Sequence, residues 1–303
     1  KTPFYAESGG QVADTGLLQA DNCNYNVVDV QKVGLDIIHF CKVKNFISDT
    51  FNKNYKLSAV VDVDRRNNIR LNHTSTHLLH SALKKIIGEH VHQAGSLVAP
   101  EKLRFDLTHY EKINDTQIKK IENNINSIIK ENIELHTTVE NFEAAKKNGA
   151  VALFGEKYDD DVRVVNIPGF SKELCGGTHV YSTGEIGAFK ITSESSLSTG
   201  VRRIEAITGD SYMDFIDEKL KILNGLKDIL HCSDNEIIQK VETIISSNKK
   251  LEDQLGTYQA DNNKEIFEKV LSKLTSGQEL SLIIERIDNI SDLKQFGDLF
   301  RNK

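Results

Sequence analysis

The stretch Asn72-His73-Thr74-Ser75-Thr76-His77-Leu78-Leu79-His80-Ser81-Ala82-Leu83-Lys84-Lys85-Ile86-Ile87-Gly88 decides how the rest of the chain is read. Leu79, Ala82, Leu83, Ile86 and Ile87 recur at helical spacing and Gly88 offers a C-terminal stop, so a helix of about five or six turns is expected from Asp64 onward. Upstream the period is different. Short alternating runs at Tyr25 to Val30, Ile37 to Val43 and Leu57 to Val63, separated by Gly, Asn and Asp, predict a small β unit, open or closed into a barrel. Downstream, Asn114 or Asp115 can cap a second helix whose Ile118, Ile121, Ile125, Ile128 and Ile129 form one apolar stripe suited to packing on a sheet. Strands are expected at Leu135 to Glu140, Val162 to Ile167, Gly187 to Thr192 and Val201 to Thr208, with a short helix at Phe142 to Lys147, which makes the middle of the chain α+β.

After Gly209 the composition shifts to Lys, Glu, Asp and Leu/Ile at three and four spacing: Ile216, Leu220, Leu223 and Leu230, then Val241, Ile244, Leu251 and Leu255. Two antiparallel helices broken near His231 to Asp234 fit this pattern, as a solvated hairpin or spacer without visible chemistry. A strand-like run at Leu280 to Ile284 and a short helix from Ser291 read as the beginning of a further domain.

Bulk properties bound the function. Lys and Arg total 38 against 44 Asp and Glu, a formal charge of −6, so no global basic field draws in nucleic acid and any RNA contact must be local. Cys23, Cys41, Cys175 and Cys232 form no C-x-x-C pair, which argues against a secreted disulfide framework and for a reducing compartment. No apolar run approaches the roughly 18 residues of a membrane span, and no signal peptide is visible. The chain opens Lys1-Thr2-Pro3 and its one methionine is Met213, so it is read as a piece of a longer protein.

Chemistry concentrates in two places. His73 and His77 stand at i and i+4 on the expected helix, where two imidazoles can share a metal; on its own this is a weak pattern, and His80 shares the face. About a hundred residues on (counting from 77 to 175), Cys175-Gly176-Gly177-Thr178-His179 brings a thiolate and an imidazole around two glycines that let the backbone turn tightly. Together they form a nitrogen and sulfur set that favours Zn²⁺ over Mg²⁺ or Ca²⁺, and the residues alone leave open whether such an ion pins loop to helix or works at a reaction centre. The H-x-E and P-C-x-x-C elements of zinc deaminases, the H-E-x-x-H of metalloproteases and a G-x-x-x-x-G-K-[ST] phosphate loop are all absent from the sequence.

From Thr2 to Gly209 the chain resembles the editing region of the alanyl-tRNA synthetases and the related free-standing alanyl-tRNA editing proteins. Phe4-Tyr5-Ala6-Glu7-Ser8-Gly9-Gly10-Gln11, Asn72 to His80, Gln93-Ala94-Gly95-Ser96-Leu97-Val98, Arg104-Phe105-Asp106, Leu174 to His179 and Gly200-Val201-Arg202-Arg203-Ile204-Glu205-Ala206 carry the resemblance. It implies an α+β fold in four parts: a β-barrel-like unit at 1–63, an editing core with the zinc site at 64–209, a coiled-coil-like helical linker at 210–275 and the incomplete start of a C-terminal domain at 276–303. It implies one Zn²⁺ ion held by His73, His77, Cys175 and His179, with Gln93 and the Gly9-Gly10 loop bordering a pocket for the aminoacylated 3′ end of alanine-specific tRNA.

The implied activity is hydrolysis of seryl and glycyl esters of that tRNA. It would act in cis with an N-terminal, ATP-using aminoacylation domain, in the cytoplasm or an organelle. The alternatives are a free-standing deacylase and a non-catalytic zinc-stabilised RNA-binding module. Thr74 and Thr76 lie where a hydroxyl could read a bound serine, against bonding back to the preceding turn; Arg104 could meet a carboxylate or the RNA end, against a surface ion pair. Paired glycines are also ordinary turn residues, and Arg202 and Arg203 alternate across a strand, so at most one reaches a given RNA-facing surface. Ala13, Ser75, Ala94 and Leu107 depart from the glycine, alanine, lysine and phenylalanine usual in the family, which puts the tuning of serine against alanine in doubt.

Overall fold

In the computed structural model, which describes residues 1–20, 23–46, 56–152, 159–272 and 293–301, the long helix α1 runs from Val63 to Ile86. Asp62 starts it by accepting a hydrogen bond from the Arg65 amide, and Gly88, at φ +143°, lies just beyond the Ile87 cap. Helix α2 (Asp115–Glu131) begins with a full capping box: the Asn114 side chain accepts from the Gln117 amide while the Gln117 side chain accepts from the Asn114 amide. Its C-cap, Asn132, takes the left-handed conformation at φ 50°.

The chain divides into two compact units, residues 1–218 and 219–303. The first contains three antiparallel sheets. Strands β1 (Gly16–Ala20), β2 (Cys23–Val33), β3 (Asp36–Phe46) and β4 (Ser58–Val61) form one, in the order β3-β2-β1-β4, over a small core of Phe4, Ala13, Val27 and Val30. Strands β5 (Gln93–Val98), β6 (Leu103–Thr108), β10 (Phe189–Ser198) and β11 (Val201–Thr208) form the second, in the order β10-β11-β6-β5. Strands β7 (His136–Asn141), β8 (Asp161–Ile167) and β9 (Ser171–Leu174) form the third, flanked by the short helix α3 (Phe142–Lys147).

The main core lies between α1, α2 and the second sheet. Leu79, Ala82 and Leu83 of α1 and Ile121, Ile125 and Ile129 of α2 pack with Phe105, Leu107, Phe189 and Ile204. Full burial of each large aliphatic side chain contributes about 1.5–3 kcal/mol, so this stripe fixes the rotation of α1 and with it the face that carries its histidines. The apolar stripe expected on α2 is the one observed to be buried, with Ile118 and Ile128 packed at its margin.

In the second unit, a turn with His231 at φ 50° precedes a 35-residue helix α5 (Ile237–Leu271), whose surface is mostly exposed. The break expected near His231 to Asp234 is present, between α4 (Gly209–Leu230) and α5. Helix α6 (Leu293–Arg301) packs on α5 through Phe296, Phe300 and Phe267, the rings of Phe267 and Phe300 meeting edge-on at 4.6 Å. The strand expected at Leu280 to Ile284 lies outside the described residues. No helix among the described residues is long and apolar enough to cross a membrane.

Candidate metal centre

Because α1 turns its Leu79/Ala82/Leu83 stripe into the core, His73, His77 and His80 stack along the adjoining face, and that face is buried as well. The rings of His73 and His77 are nearly parallel, 5.3 Å apart. Strand β9 delivers the loop Cys175 to His179 against them. Two arginines clamp this loop by its carbonyls: Arg163 donates to Cys175 O at 3.1 Å and also to Gly177 O, and Arg70 donates to His179 O. The two loop glycines are not equivalent. A Cβ on Gly177 would lie 2.0 Å from His73 Cε1, whereas one on Gly176 would meet nothing within 4 Å.

One ligand atom each from His73, His77, Cys175 and His179 lies within 4.8 Å of all the others. Cys175 Sγ is 3.4 Å from His73 Nε2 and 3.3 Å from His179 Nε2, close to the separation of about 3.5 Å between S and N donors on a tetrahedral zinc. His77 Nε2 is buried with no hydrogen-bond partner, an orphan that a metal ion would satisfy. Each imidazole is held from its far nitrogen. His73 Nδ1 meets Gln11 Oε1 at 2.7 Å, His77 Nδ1 meets Glu173 Oε2 at 2.7 Å, and His179 Nδ1 meets Thr74 Oγ1 at 3.2 Å. Bonding one ring nitrogen outward fixes the ring and turns the other inward, the usual support of a histidine metal ligand. These four residues could hold a metal ion, and the donor set fits zinc.

For Cys175 and His179 the electrostatics agree. Burial would push the Cys175 thiol up, but His73, His179 and His77 around it hold it well below its ordinary value, toward the thiolate a metal needs. Burial and the neighbouring His73 push His179 down to about 3, so it is neutral and its lone pair is free. Burial alone would lower His77, but Glu173 raises it well above the usual range; the carboxylate itself is held low by the same pairing, against its own burial.

The cluster opens onto a small pocket of about 60 Å³, whose remaining wall includes Tyr5, Ser8, Gly9, Thr76, Gln93 and Ser96. Gly9 and Gly10 are the centre of a tight turn, at φ 58° and 82°, closed by paired hydrogen bonds between Ser8 and Gln11. Positive φ at both positions calls for glycine, and a Cβ on Gly10 would lie 2.8 Å from Ser96 O. A β-bulge between Gln93 and Gly95, opposite Leu107 and Asp106, interrupts the ladder where Gln93 lines the pocket.

The other singled-out residues sort differently. Thr76 lines the pocket but its hydroxyl donates back to Asn72 O at 2.9 Å. Thr74 is fully buried and supports His179 while accepting from the Val180 amide. Gly10 shapes the turn without lining the pocket. Arg104 is not among the residues of the pocket wall and pairs with Asp106 at 3.5 Å. Arg203 makes a two-point contact with the same Asp106, and Arg202 does so with Glu194, so both arginines are engaged in ion pairs. Gln11, Glu173, Arg70 and Arg163 carry structural duties at the cluster that residue spacing did not point to; Gln11 stood in a quoted motif, whereas Glu173 gave only its closeness to Cys175 in sequence.

Residues 162–205 match the family model described as the threonyl and alanyl tRNA synthetase second additional domain, and residues 1–65 match that of class II (A) tRNA synthetases. The chain is 44% identical over 289 residues to an alanine–tRNA ligase of Legionella pneumophila (strain Paris), covering 95% of this chain and 33% of that protein. It is 45% identical over 298 residues to one of Rickettsia bellii (96% and 33%), and 41% identical over 304 aligned positions to one of Thermoanaerobacter sp. (100% and 34%). The chain thus spans about a third of the length of these relatives.

Proposed function

We propose that this chain, related over nearly its whole length to the alanine–tRNA ligases, is the part of such an enzyme that proofreads its product, hydrolysing the ester of alanine-specific tRNA charged with serine or glycine. The observation that carries the reading is the convergence of three imidazoles and one thiol, of which His73, His77 and Cys175 also line a pocket large enough for a small side chain.

His73, His77, Cys175 and His179 would hold zinc, which when bound supplies Lewis-acid chemistry at an ester carbonyl or anchors the substrate's polar groups. The chain's own residues do the remaining work. The Gly9-Gly10 turn brings backbone to the pocket edge without side chains, leaving room for the ester end of the RNA. Gln93 projects an amide into the pocket wall, where it can orient a water or the substrate carbonyl. Ser96 Oγ is buried without a partner beside it, a polar atom that a serine substrate can satisfy and alanine cannot. Selectivity of this kind is needed because a synthetic site for alanine cannot shut out glycine, which is smaller, and rejects one extra hydroxyl only modestly.

Four protein donors fill a tetrahedral set, which supports a second reading in which the metal only pins the loop to α1 and the module binds RNA without catalysis. Deacylation assays on alanine-specific tRNA charged with serine, glycine or alanine, with the chain and its Cys175→Ala variant, separate the two. Rapid loss of serine or glycine with alanine spared, abolished in the variant, supports hydrolysis. Survival of all three esters in the presence of folded, zinc-loaded chain rejects it.

A further inference from the structure

Two histidines outside the metal cluster meet beyond the C-terminal end of α1. His90 lies in the turn that follows the helix, and His109 directly follows β6. His90 Nε2 is 3.0 Å from His109 Nδ1, with the ring centres 5.3 Å apart and the planes tilted by 35°. His77 and the helix end at Ile86 are nine residues apart, about 14 Å along the axis, so neither ring belongs to the cluster. The backbone beneath both is pinned. Thr108 Oγ1 donates to His90 O at 3.0 Å and accepts from the His92 amide at 2.9 Å, the His109 amide donates to Gly200 O at 3.0 Å, and Val91 beside His90 is fully buried. Gly88 leaves space for the His90 ring: a Cβ there would lie 2.8 Å from its Nδ1.

We infer that His90 Nε2 and His109 Nδ1 form a second metal site, a solvent-facing chelate for a divalent transition ion of the Ni²⁺ or Cu²⁺ kind. Two nitrogens bound at about 2.1 Å stand about 3.0 Å apart at right angles and about 3.4 Å apart at the tetrahedral angle. The observed 3.0 Å therefore suits neighbouring positions of a square or octahedral ion, the geometry Ni²⁺ and Cu²⁺ take with imidazole. Without metal, one imidazole N–H donates to the lone pair of the other ring. On binding, that proton moves to the outer nitrogen of its own ring, so both rings stay neutral and both inner lone pairs face the ion. Burial and the neighbouring His90 lower His109 from its ordinary value, which keeps that ring uncharged and able to ligate near neutral pH. Arg202 adjoins the site but is taken up by a two-point pair with Glu194, at 2.6 and 2.7 Å. Glu111, two residues on from His109, adds an exposed carboxylate close enough to act on the ring and favourable to a cation. The site stands independently of the hydrolytic reading: an ion here ties the turn after α1 to the end of β6.

Nickel uptake tests the site. The 303-residue chain, its cluster first saturated with zinc, is dialysed against increasing Ni²⁺ and both metals are quantified by mass spectrometry. His90→Gln, His109→Gln, the double variant and a His92→Gln control are treated alike. The wild type is expected to take up one equivalent of nickel with its zinc retained, and His92→Gln to match it. Each single variant at the pair, having lost a donor outright, is expected to bind nickel at least about tenfold more weakly, the low end for losing even a supporting partner of a ligand. Uptake by the wild type no greater than by the double variant overturns the site and leaves the pair as a hydrogen bond. So does a single variant at the pair that binds as tightly as the wild type, an equal loss in His92→Gln, or nickel that enters only by expelling the zinc.

Discussion

Glu173→Gln tests the metal centre at a residue that donates no ligand. The carboxylate lies between His77 Nδ1 at 2.7 Å and His80 Nδ1 at 3.5 Å, accepts from Ser171 Oγ at 3.0 Å, and is 4% exposed. Glutamine keeps the shape and one acceptor but removes the charge that makes His77 a better donor to a cation on its other nitrogen. Loss of such a supporting partner typically costs 10–100-fold in metal affinity, or about 1.4–2.7 kcal/mol. The deep burial of the pair places this case toward the upper end, because solvent does little to screen the lost charge. Competition against a chromophoric chelator at fixed pH measures it, with His80→Gln expected to lose less, since that contact is longer and His80 is not a donor. Zinc affinity within twofold of wild type in Glu173→Gln, with the fold intact, would refute the argument that the outer hydrogen bond of His77 tunes its inner nitrogen.

Among the other expected outcomes, Gly177→Ala should lose zinc stoichiometry because its methyl meets the His73 ring, while Gly176→Ala should retain it; metal analysis of the two purified variants distinguishes them. Gly10→Ala should cut hydrolysis of the seryl ester, since the turn and its approach to Ser96 O are lost, with a smaller loss of zinc than in Gly177→Ala because the turn reaches the cluster only through Gln11, which supports His73; equal activity to wild type would count against the turn as a pocket edge. Leu83→Ala, in the centre of the core, should cost about 2–5 kcal/mol in denaturant melts. Chelation of zinc should lower the melting temperature of the chain in proportion to the binding lost, about 4 kcal/mol of stability for free zinc a thousandfold above its dissociation constant; an unchanged melt in chelator would argue that the cluster holds no metal.

The parts of the fold written in local chemistry were legible. The Asn114 cap, the α2 stripe, α3 at Phe142 to Lys147 and the strand Val201 to Thr208 occur where cap chemistry and periodicity put them. Strand β5 was not read as a strand, because Gln93-Ala94-Gly95-Ser96 has neither β-branched residues nor unbroken alternation; the bulge that interrupts the pattern is what gives Gln93 its place, whereas β6, Leu103 to Thr108, alternates apolar and polar residues and was legible but not read. Strand β9, Ser171-Lys172-Glu173-Leu174, is four residues without a β-branched side chain and exists through its ladder to β8. The four donors stood out because helical spacing puts two imidazoles on one face and the glycine loop supplies the other two. Their supports did not, since Gln11, Glu173 and Arg163 reach the cluster only after the sheets have assembled, and nothing local in the sequence marks a residue whose partner is 14, 62 or 96 positions away.

On the proposed proofreading, serine and glycine would be admitted to the pocket by different physics. Serine can satisfy the buried Ser96 Oγ, and alanine, leaving that atom unpaired, is disfavoured by the desolvation cost of an orphaned polar group, about 1–3 kcal/mol. Glycine gains nothing from that atom and is smaller than alanine, so neither size nor the hydroxyl contact can prefer it. Its admission has to come from positioning: with no Cβ, the amine and ester can settle nearer the metal donors than an alanyl substrate allows, in the space kept free by the Gly9-Gly10 turn. On that reading the Ser96 wall and the Gly9-Gly10 turn are separable parts of one pocket, each answering an error that the other cannot detect.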